Sequence, residues 1–255
     1  MDKISVIIPV VKLDENSDLE LFKRAYESAK KQADKVIVVG PKEAVEIAEG
    51  VKHTAAKWAS VVNDGDTSYP SQVMLALDSV KTDYFCVLEY DDVLTENWFK
   101  NIELYHDDEC AGYLPLTEVV DYATNETIAY ANEAYWATSF CEELGYLDIE
   151  SLQDYLNFNV SGAVFKKSDF LQVGGLKKSM KLVFWFEFLL RALYKQKKFY
   201  VVPKIGYIHS VNREGCLTNV YKKELSEKEI EWWLDLAKKE YFFPQDRNKK
   251  YEDEE

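Results

Sequence analysis

The chain has 255 residues, 47% of them hydrophobic and 14% aromatic, and its 45 acidic against 31 basic side chains give a net charge of −14. This length and hydrophobic content suffice to bury a sizeable core in one domain, which excludes a largely disordered chain. The negative charge repels a phosphate backbone, so duplex nucleic acid is disfavoured as a partner. There is no run of 18 apolar residues and the first strand begins within four residues, so we expect no membrane span, no signal peptide and a cytoplasmic location.

The four cysteines form no C-x-x-C pair, and the three histidines are scattered along the chain. We therefore expect reduced thiols rather than disulfide bonds or a zinc site.

The first 95 residues alternate between short β-branched runs and amphipathic segments. The pattern predicts strands over 4–10, 35–39, 59–62 and 84–88, and helices over 19–33, 42–48 and 71–80. Such an alternation with short connections predicts a parallel sheet flanked by helices. In sheets of this kind the ligand binds beyond the carboxyl ends of the strands.

The remainder of the chain mixes strands and helices. The pattern predicts helices or helical turns over 95–105, 151–156, 168–171, 183–194 and 226–241, and strands over 112–121, 127–135, 162–165, 198–202 and 205–209. The strands at 112–121 and 127–135 would form a hairpin. Ser226 and Glu229 form a capping box for the last helix, and the charged tail at 249–255 is expected to be frayed.

The best candidate site is Glu89-Tyr90-Asp91-Asp92, which directly follows a predicted buried strand. Carboxylates brought together beside an apolar strand repel one another, so the arrangement is costly without a cation. Mg²⁺ and Mn²⁺ prefer such oxygen ligands and keep positions open for substrate phosphates. An acidic turn in which Asp92 caps the next helix is an equally open interpretation.

The order of these motifs resembles that of the family 2 glycosyltransferases with a GT-A fold. Residues 4–10 and 35–39 resemble their first two strands, and 81–92 resembles the strand that leads to their acidic D-x-D-type metal motif. A second block is similar to their later strand, Gly-Gly turn, acceptor-side helix and final strand: 162–167, 174–176, 188–193, 199–203 and 207–209. The resemblance covers about residues 1–220.

The resemblance implies an α/β GT-A fold, the nucleotide-diphospho-sugar transferase fold, with a mostly parallel central sheet flanked by helices, a small β-hairpin insertion and a C-terminal helix. It implies a domain at 1–220, with a nucleotide and metal half at 1–95 and an acceptor half at 96–220, followed by a helix and charged tail at 221–255. The implied activity is metal-dependent transfer of a sugar from a nucleotide-diphosphate donor to a hydroxyl acceptor, with inversion.

The resemblance also implies roles for individual residues. Asp91 and Asp92, with Glu89 in the first acidic position, would hold Mn²⁺ or Mg²⁺ against the donor diphosphate. His209 falls where some relatives have a metal-ligating histidine, although a hydrogen-bonded histidine at a strand end is the alternative. The residues expected to bind the nucleotide sugar are Pro9, Val10, Asp64, Asp66, Gln72, Glu89, Tyr90 and Asp91.

The chain departs from the family pattern at the residues expected to bind the nucleotide and at the residue expected to be the general base. Gly40-Pro41-Lys42-Glu43 stands where relatives have an acidic turn that reads the nucleotide. Asp64 and Asp66 would have to replace that turn in space, and a plain turn explains 63–66 equally well.

The family places an acidic pair at the start of the acceptor-side helix, where this chain has Phe184 and Trp185. Glu187 is the acidic residue nearby. It is either a general base whose pKa is raised by burial or an ion-pair partner of Arg191 one turn later. Trp185 is expected to lie near the acceptor.

Two other functions are weighed against the enzyme. A binding or structural module could keep the GT-A fold without catalysis, since a fold alone confers no activity. A nucleotidyltransferase would need a Gly- and Lys/Arg-rich loop after the first strand, and Val11-Lys12-Leu13-Asp14 is not one. The acceptor is left open among glycan, protein, lipid and modified base, and the hairpin and C-terminal helix are candidate homo-oligomer contacts.

Overall fold

A computed structural model describes residues 3–51, 55–154, 158–213 and 225–241. The strands are β1 (Ile4–Pro9), β2 (Lys35–Gly40), β3 (Trp58–Val62), β4 (Tyr84–Val87), β5 (Val93–Leu94), β6 (Cys110–Asp121), β7 (Thr127–Ala131), β8 (Val164–Lys166) and β9 (Lys198–Val211). The α-helices are α1 (Leu19–Lys30), α2 (Lys42–Glu49), α3 (Tyr69–Ala76), α4 (Trp98–Glu103), α5 (Ile149–Asp154), α6 (Lys167–Val173), α7 (Phe184–Tyr194) and α8 (Glu227–Tyr241).

The described strands form one sheet in the order β3-β2-β1-β4-β8-β6-β9-β5, and β7 pairs with β6 outside this path. The first four strands are parallel, and β6 and β9 are parallel to each other. β8, β5 and β7 run antiparallel to their partners. The predicted α/β class with a mostly parallel sheet, a hairpin and a C-terminal helix is confirmed.

Both faces of the sheet are covered, because alternate residues of its buried strands belong to two different cores. In β1, Ile7 packs into one core while Val6 and Ile8 pack into the other. Helices α3, α6 and α7 cover the first core, and α1, α2 and α4 cover the second. A strand buried on both faces reads as a continuous apolar run, which is why the sequence pattern found β1, β2 and β4.

Three predicted elements are corrected by the structure. The helix predicted at 71–80 ends at Ala76 and continues as a 3₁₀ turn, Leu77–Ser79. The helix predicted at 95–105 is only α4, and the strand predicted to reach Tyr135 ends at Ala131 before a 3₁₀ turn, Glu133–Trp136. β5 was not predicted, because two residues are too few to show a period. The predicted tail at 249–255 lies outside the described residues.

The two strands predicted at 198–202 and 205–209 are a single strand, β9. Pro203 lies between the two predicted segments, and proline cannot donate a hydrogen bond to a sheet ladder. The register of β9 against β6 instead shifts there: Leu114 pairs with Val201, and Leu116 pairs with Ile205. The extra residues of β9 form a bulge that accommodates Pro203, so the strand continues past Pro203 to Val211.

No helix among residues 3–51, 55–154, 158–213 and 225–241 is long and apolar enough to cross a membrane. The last of these helices, α8, begins with the predicted capping box: Ser226 N donates to Glu229 Oε2 at 2.8 Å, and Glu229 N donates to Ser226 Oγ at 3.4 Å. Ala237 on this helix is fully buried, and Trp233 and Leu234 pack against the core that also contains α7.

Candidate functional site

The three carboxylates of Glu89, Asp91 and Asp92 converge immediately after β4. One oxygen from each lies within 4.8 Å of the others. They lie at the edge of the sheet formed by the carboxyl ends of β1, β2 and β4, where ligands bind in such folds. The side chains are not splayed apart, so their arrangement is compatible with a shared cation.

Asp92 is buried and is held by β9. Tyr207 Oη donates to Asp92 Oδ2 at 2.7 Å, and His209 Nδ1 lies 2.8 Å from the same oxygen. The backbone N–H of Ser210 donates to Asp92 Oδ1 at 2.8 Å. The alternative in which Asp92 caps the next helix is wrong, because α4 begins at Trp98 with Asn97 at its N-cap position.

Gly162 allows Tyr207 to reach Asp92. Its φ is +78°, which favours glycine, and a Cβ at this position would lie 2.4 Å from the Tyr207 ring. The hydroxyl of Tyr207 also accepts a hydrogen bond from Glu89 N at 3.3 Å. Tyr207 therefore links two members of the acidic cluster.

The surroundings of Glu89 raise the pKa of its carboxyl group. Burial and the neighbouring Asp92 carboxylate raise the pKa of Glu89 to about 7, against the opposing effect of His209. Ser161 Oγ donates to Glu89 Oε1 at 2.6 Å. A bound cation would favour the ionised form.

The carboxylates around His209 favour its protonated form. Burial alone lowers the pKa of His209, but the Asp92 carboxylate, with smaller contributions from Glu89 and Asp91, raises it to about 9. The structure thus shows the predicted alternative of a hydrogen-bonded histidine at a strand end. Its role as a metal ligand stays a prediction.

Arg213 is a site residue that sequence analysis missed. Its Nη2 and Nε donate to Asp91 Oδ2 at 2.8 and 3.2 Å, and its Nη1 donates to Asp18 Oδ1 at 3.1 Å. Nη2 also donates to Tyr90 Oη at 2.9 Å. Burial and Asp92 raise the pKa of Asp91, whereas Arg213 lowers it. The available signal was its place directly after the last strand, at the same edge as the acids.

The predicted nucleotide-binding residues outside the acidic cluster make local contacts. Asp64 Oδ1 accepts the backbone N–H of Lys42 at 2.8 Å, at the start of α2. Asp66 accepts hydrogen bonds from Ser71 Oγ and from Ser68 N, and these bonds lower its pKa. Both stabilise local turns through these bonds, and their contact with a nucleotide stays a prediction.

Three further members of that predicted set are buried. The side chain of Val10 is fully buried, and its N–H donates to Val39 O at 2.8 Å. Pro9 is buried at the end of β1. Gln72 is also fully buried, and neither of its amide atoms has a hydrogen-bond partner among the described residues. Their contact with a nucleotide stays a prediction.

Glu187 forms a fully buried ion pair. Arg191 Nε and Nη2 donate to its two carboxylate oxygens, each at 2.8 Å, and Lys177 Nζ lies 3.0 Å from Oε1. Arg191 also donates to the carbonyls of Val173 and Gly175, at 2.7 Å each. The structure shows the ion pair that was one of the two interpretations of Glu187. Its role as a base stays a prediction.

A mostly apolar cavity of about 260 Å³ lies between the segment at 158–161, the start of α7 and α8. Its polar lining residues are Asn159 and Ser161, the latter being the residue that hydrogen-bonds to Glu89. Its apolar lining residues are Phe158, Val160, Val183, Trp185, Phe186 and Leu234. Trp185 thus lies in the wall of a cavity that also includes Ser161, the hydrogen-bond partner of Glu89; its proximity to an acceptor stays a prediction.

No protein-family profile and no curated protein sequence matches this chain. Among solved structures, it resembles S. aureus TarS 1–349, with 13% identity, a TM-score of 0.60, and coverage of 82% of this chain and 60% of that one. The UDP complex of TarS 1–349 gives 14% identity, a TM-score of 0.59, and coverage of 91% and 70%.

The chain also resembles the mannosyltransferase PcManGT from Pyrobaculum calidifontis in complex with GDP-Man and Mn²⁺. Identity is 11%, the TM-score is 0.61, and the match covers 84% of this chain and 58% of that one. This chain therefore spans 58% to 70% of the length of these solved chains. The likeness shows a GT-A-type glycosyltransferase fold; membership of family 2 stays a prediction.

Proposed function

We propose that the protein is a metal-dependent glycosyltransferase that moves a sugar from a nucleotide-diphosphate donor to a hydroxyl acceptor. The observation that carries this proposal is the convergence of Glu89, Asp91 and Asp92 at the ligand-binding edge of a GT-A fold. Solved structures with this fold hold GDP-Man with Mn²⁺ in one case and UDP in another.

The residues present fit a divalent cation. Arg213 donates to Oδ2 of Asp91 and Ser161 donates to Oε1 of Glu89, so one oxygen of each carboxylate lies outside these contacts. Asp92 is fixed by its three donors from β9. An all-oxygen donor set favours Mn²⁺ or Mg²⁺, and such an ion would offset the charge that develops on the departing diphosphate.

The chain's own residues would orient the donor and complete the charge balance. Tyr207 and Ser210 hold Asp92 in one orientation, and Arg213 holds Asp91. Attack of a deprotonated acceptor hydroxyl on the anomeric carbon, opposite the diphosphate, would invert its configuration. The contacts of Glu187 support an ion-pair role, so a base from Glu187 would require that pair to open.

A catalytically inactive GT-A-fold module is the second candidate. The observation that favours it is that Asp64, Asp66 and Glu187 are all engaged in local bonds. Such a module could bind a nucleotide without transferring its sugar.

Calorimetric titration with UDP and GDP, with and without Mn²⁺, tests the proposal. We expect one nucleotide to bind only with Mn²⁺, and Asp91→Asn to weaken that binding at least tenfold, because it removes a carboxylate ligand. Asp108→Asn, which alters a carboxylate that is 96% exposed, should bind like the wild type. Binding of neither nucleotide, or binding that ignores Mn²⁺, would contradict the proposal.

Donor hydrolysis separates the enzyme from the inactive module. The enzyme should release sugar slowly from its donor in water, in a reaction that Asp91→Asn suppresses and Asp108→Asn leaves intact. Tight Mn²⁺-dependent nucleotide binding without any release would favour the binding module.

A further inference from the structure

We propose that the apolar cavity lined by Ser161 and Trp185 is the acceptor subsite, and that it takes an acceptor without an anionic group whose hydroxyl is carried by an apolar ring. The acceptor role rests on the proposed glycosyl transfer; the ligand chemistry rests on the cavity itself. In the transfer, the acceptor oxygen bonds to the anomeric carbon, the bond to the diphosphate breaks with its electrons, and the hydroxyl proton passes to a base or to water.

The lining of the cavity disfavours the binding of an anionic group. Although 30% of the chain is Asp, Glu, Lys or Arg, none of the described residues that line the cavity is charged. A phosphate or carboxylate placed there would lose its hydration without gaining a cationic partner among the described lining residues, which is strongly unfavourable. An aromatic or alicyclic group would instead exchange water for side chains such as Trp185 and Phe186.

The polar end of the cavity is fixed next to the acids. The Asn132 side chain donates to Asn159 O at 2.7 Å and accepts from Asn159 N at 2.9 Å. Asn159 Oδ1 in turn accepts Ser161 N at 2.7 Å, and Ser161 Oγ donates to Glu89 at 2.6 Å. This chain of bonds holds the two polar lining residues at the Glu89 end, which is where an acceptor hydroxyl would have to lie.

Val183 gives independent support, because it is held in a conformation that valine avoids. Its φ is +53°, in the left-handed region, where a β-branched side chain is strained. Strained residues of this kind concentrate at ligand sites, where the surrounding structure enforces them. Val183 lines the cavity and directly precedes α7, so the strain forms part of the cavity wall.

The aromatic part of the wall is also held in place by ring stacking. The Trp185 ring stacks on Phe165 with centroids 5.3 Å apart and an interplanar angle of 4°. Phe184 stacks on Tyr69 at 5.1 Å, which ties the start of α7 to α3. A rigid aromatic wall limits the entropy lost when a ring binds beside it.

Saturation-transfer NMR on the full chain with benzyl alcohol, glucose and glucose 6-phosphate tests this inference. We expect benzyl alcohol to bind at least tenfold more tightly than glucose, and glucose 6-phosphate not to bind in the absence of Mn²⁺. Leu234→Ala should weaken the binding of benzyl alcohol, whereas Leu236→Ala, on the same helix but 40% exposed and outside the cavity lining, should not.

The Val183→Gly variant distinguishes a loss of ligand affinity from a loss of stability. Glycine relieves the positive φ, so the melting temperature should be unchanged or higher while the affinity for benzyl alcohol falls. Equal or tighter binding of the sugars, or affinity unchanged in both Leu234→Ala and Val183→Gly, would overturn the inference.

The nucleotide titration distinguishes this inference from the proposed function. If the protein binds a nucleotide only with Mn²⁺ but does not bind benzyl alcohol, the inference about the acceptor is overturned and the proposed function stands. Benzyl alcohol binding at the cavity without nucleotide binding overturns the proposed transfer and the acceptor role, and leaves only an apolar ligand site.

Discussion

Asp92 makes three hydrogen bonds with one strand, β9, at Tyr207, His209 and Ser210. A buried carboxylate needs such donors, because an unpaired charge in the protein interior is very costly. The acidic cluster is therefore supported by β9 even without a cation. Positions of this kind, which orient metal ligands, typically affect metal affinity when they are changed.

Tyr207→Phe should weaken Mn²⁺ binding by about tenfold or more, the range expected when a group that orients a metal ligand is removed. Tyr113→Phe is a matched control, because Tyr113 is also fully buried and its hydroxyl bonds to the Asp107 backbone, away from the acids. Calorimetric Mn²⁺ titration should show the loss in Tyr207→Phe only. Equal metal affinity in both variants would mean that Tyr207 has a purely structural role.

The His209–Asp92 pair predicts how stability depends on pH without metal. The pKa of His209 is raised in the folded protein to about 9 from 6.5, so the fold binds this proton more tightly than the unfolded chain does. Its stabilisation is complete below pH 6.5 and is lost as the pH rises through 9. Scanning calorimetry should show the melting temperature of the wild type falling relative to His209→Gln over this range; a constant difference would contradict the assignment.

At the scale of elements, α7 is anchored by the ion pair of Glu187 and Arg191. Arg191 also binds the carbonyls of Val173, at the end of α6, and of Gly175 in the following turn. One side chain thus fixes the end of α6 to α7, and α7 carries Trp185 on the cavity wall.

Arg191→Met should destabilise the fold by about 3–5 kcal/mol, because it leaves Glu187 buried with a reduced set of partners. Arg24→Met, on the exposed side of α1, should leave the free energy of unfolding nearly unchanged. Urea denaturation measures both.

The Glu187→Gln variant tests whether Glu187 acts as the general base. If Glu187 serves only as an ion-pair partner, the substitution should lower the free energy of unfolding and leave the transfer rate per folded molecule nearly unchanged. If Glu187 is the general base, the rate should fall by about 10²–10⁴-fold.

The elements that could be predicted from sequence are those whose pattern is local. The runs at β1, β2 and β4 and the amphipathic spacing of α1 need no tertiary information, and the acids after β4 stand together in the chain. What could not be predicted depends on contacts between distant segments. Tyr207 and Arg213 reach the acids from more than 110 positions away, and the passage of β9 past Pro203 depends on a bulge against β6.

At the scale of the whole molecule, the site lies where the two parts of the sheet meet. The acids directly follow β4, the last of the four parallel strands, while β9 and Arg213 just after it supply the groups that hold them. The cavity is lined by the segment at 158–161, by the start of α7 and by α8. A donor bound at the acids and an acceptor bound in the cavity would therefore meet at Glu89 and Ser161.

A crystal of the protein grown with Mn²⁺ and the nucleotide that binds would test the central claim most directly, through the anomalous signal of manganese. We predict one peak within about 2.1 Å of oxygens from Asp91 and at least one of Glu89 and Asp92, with the nucleotide diphosphate on its other side. Nucleotide bound with no peak at these carboxylates, while Arg213 and His209 keep their present contacts, would contradict the account.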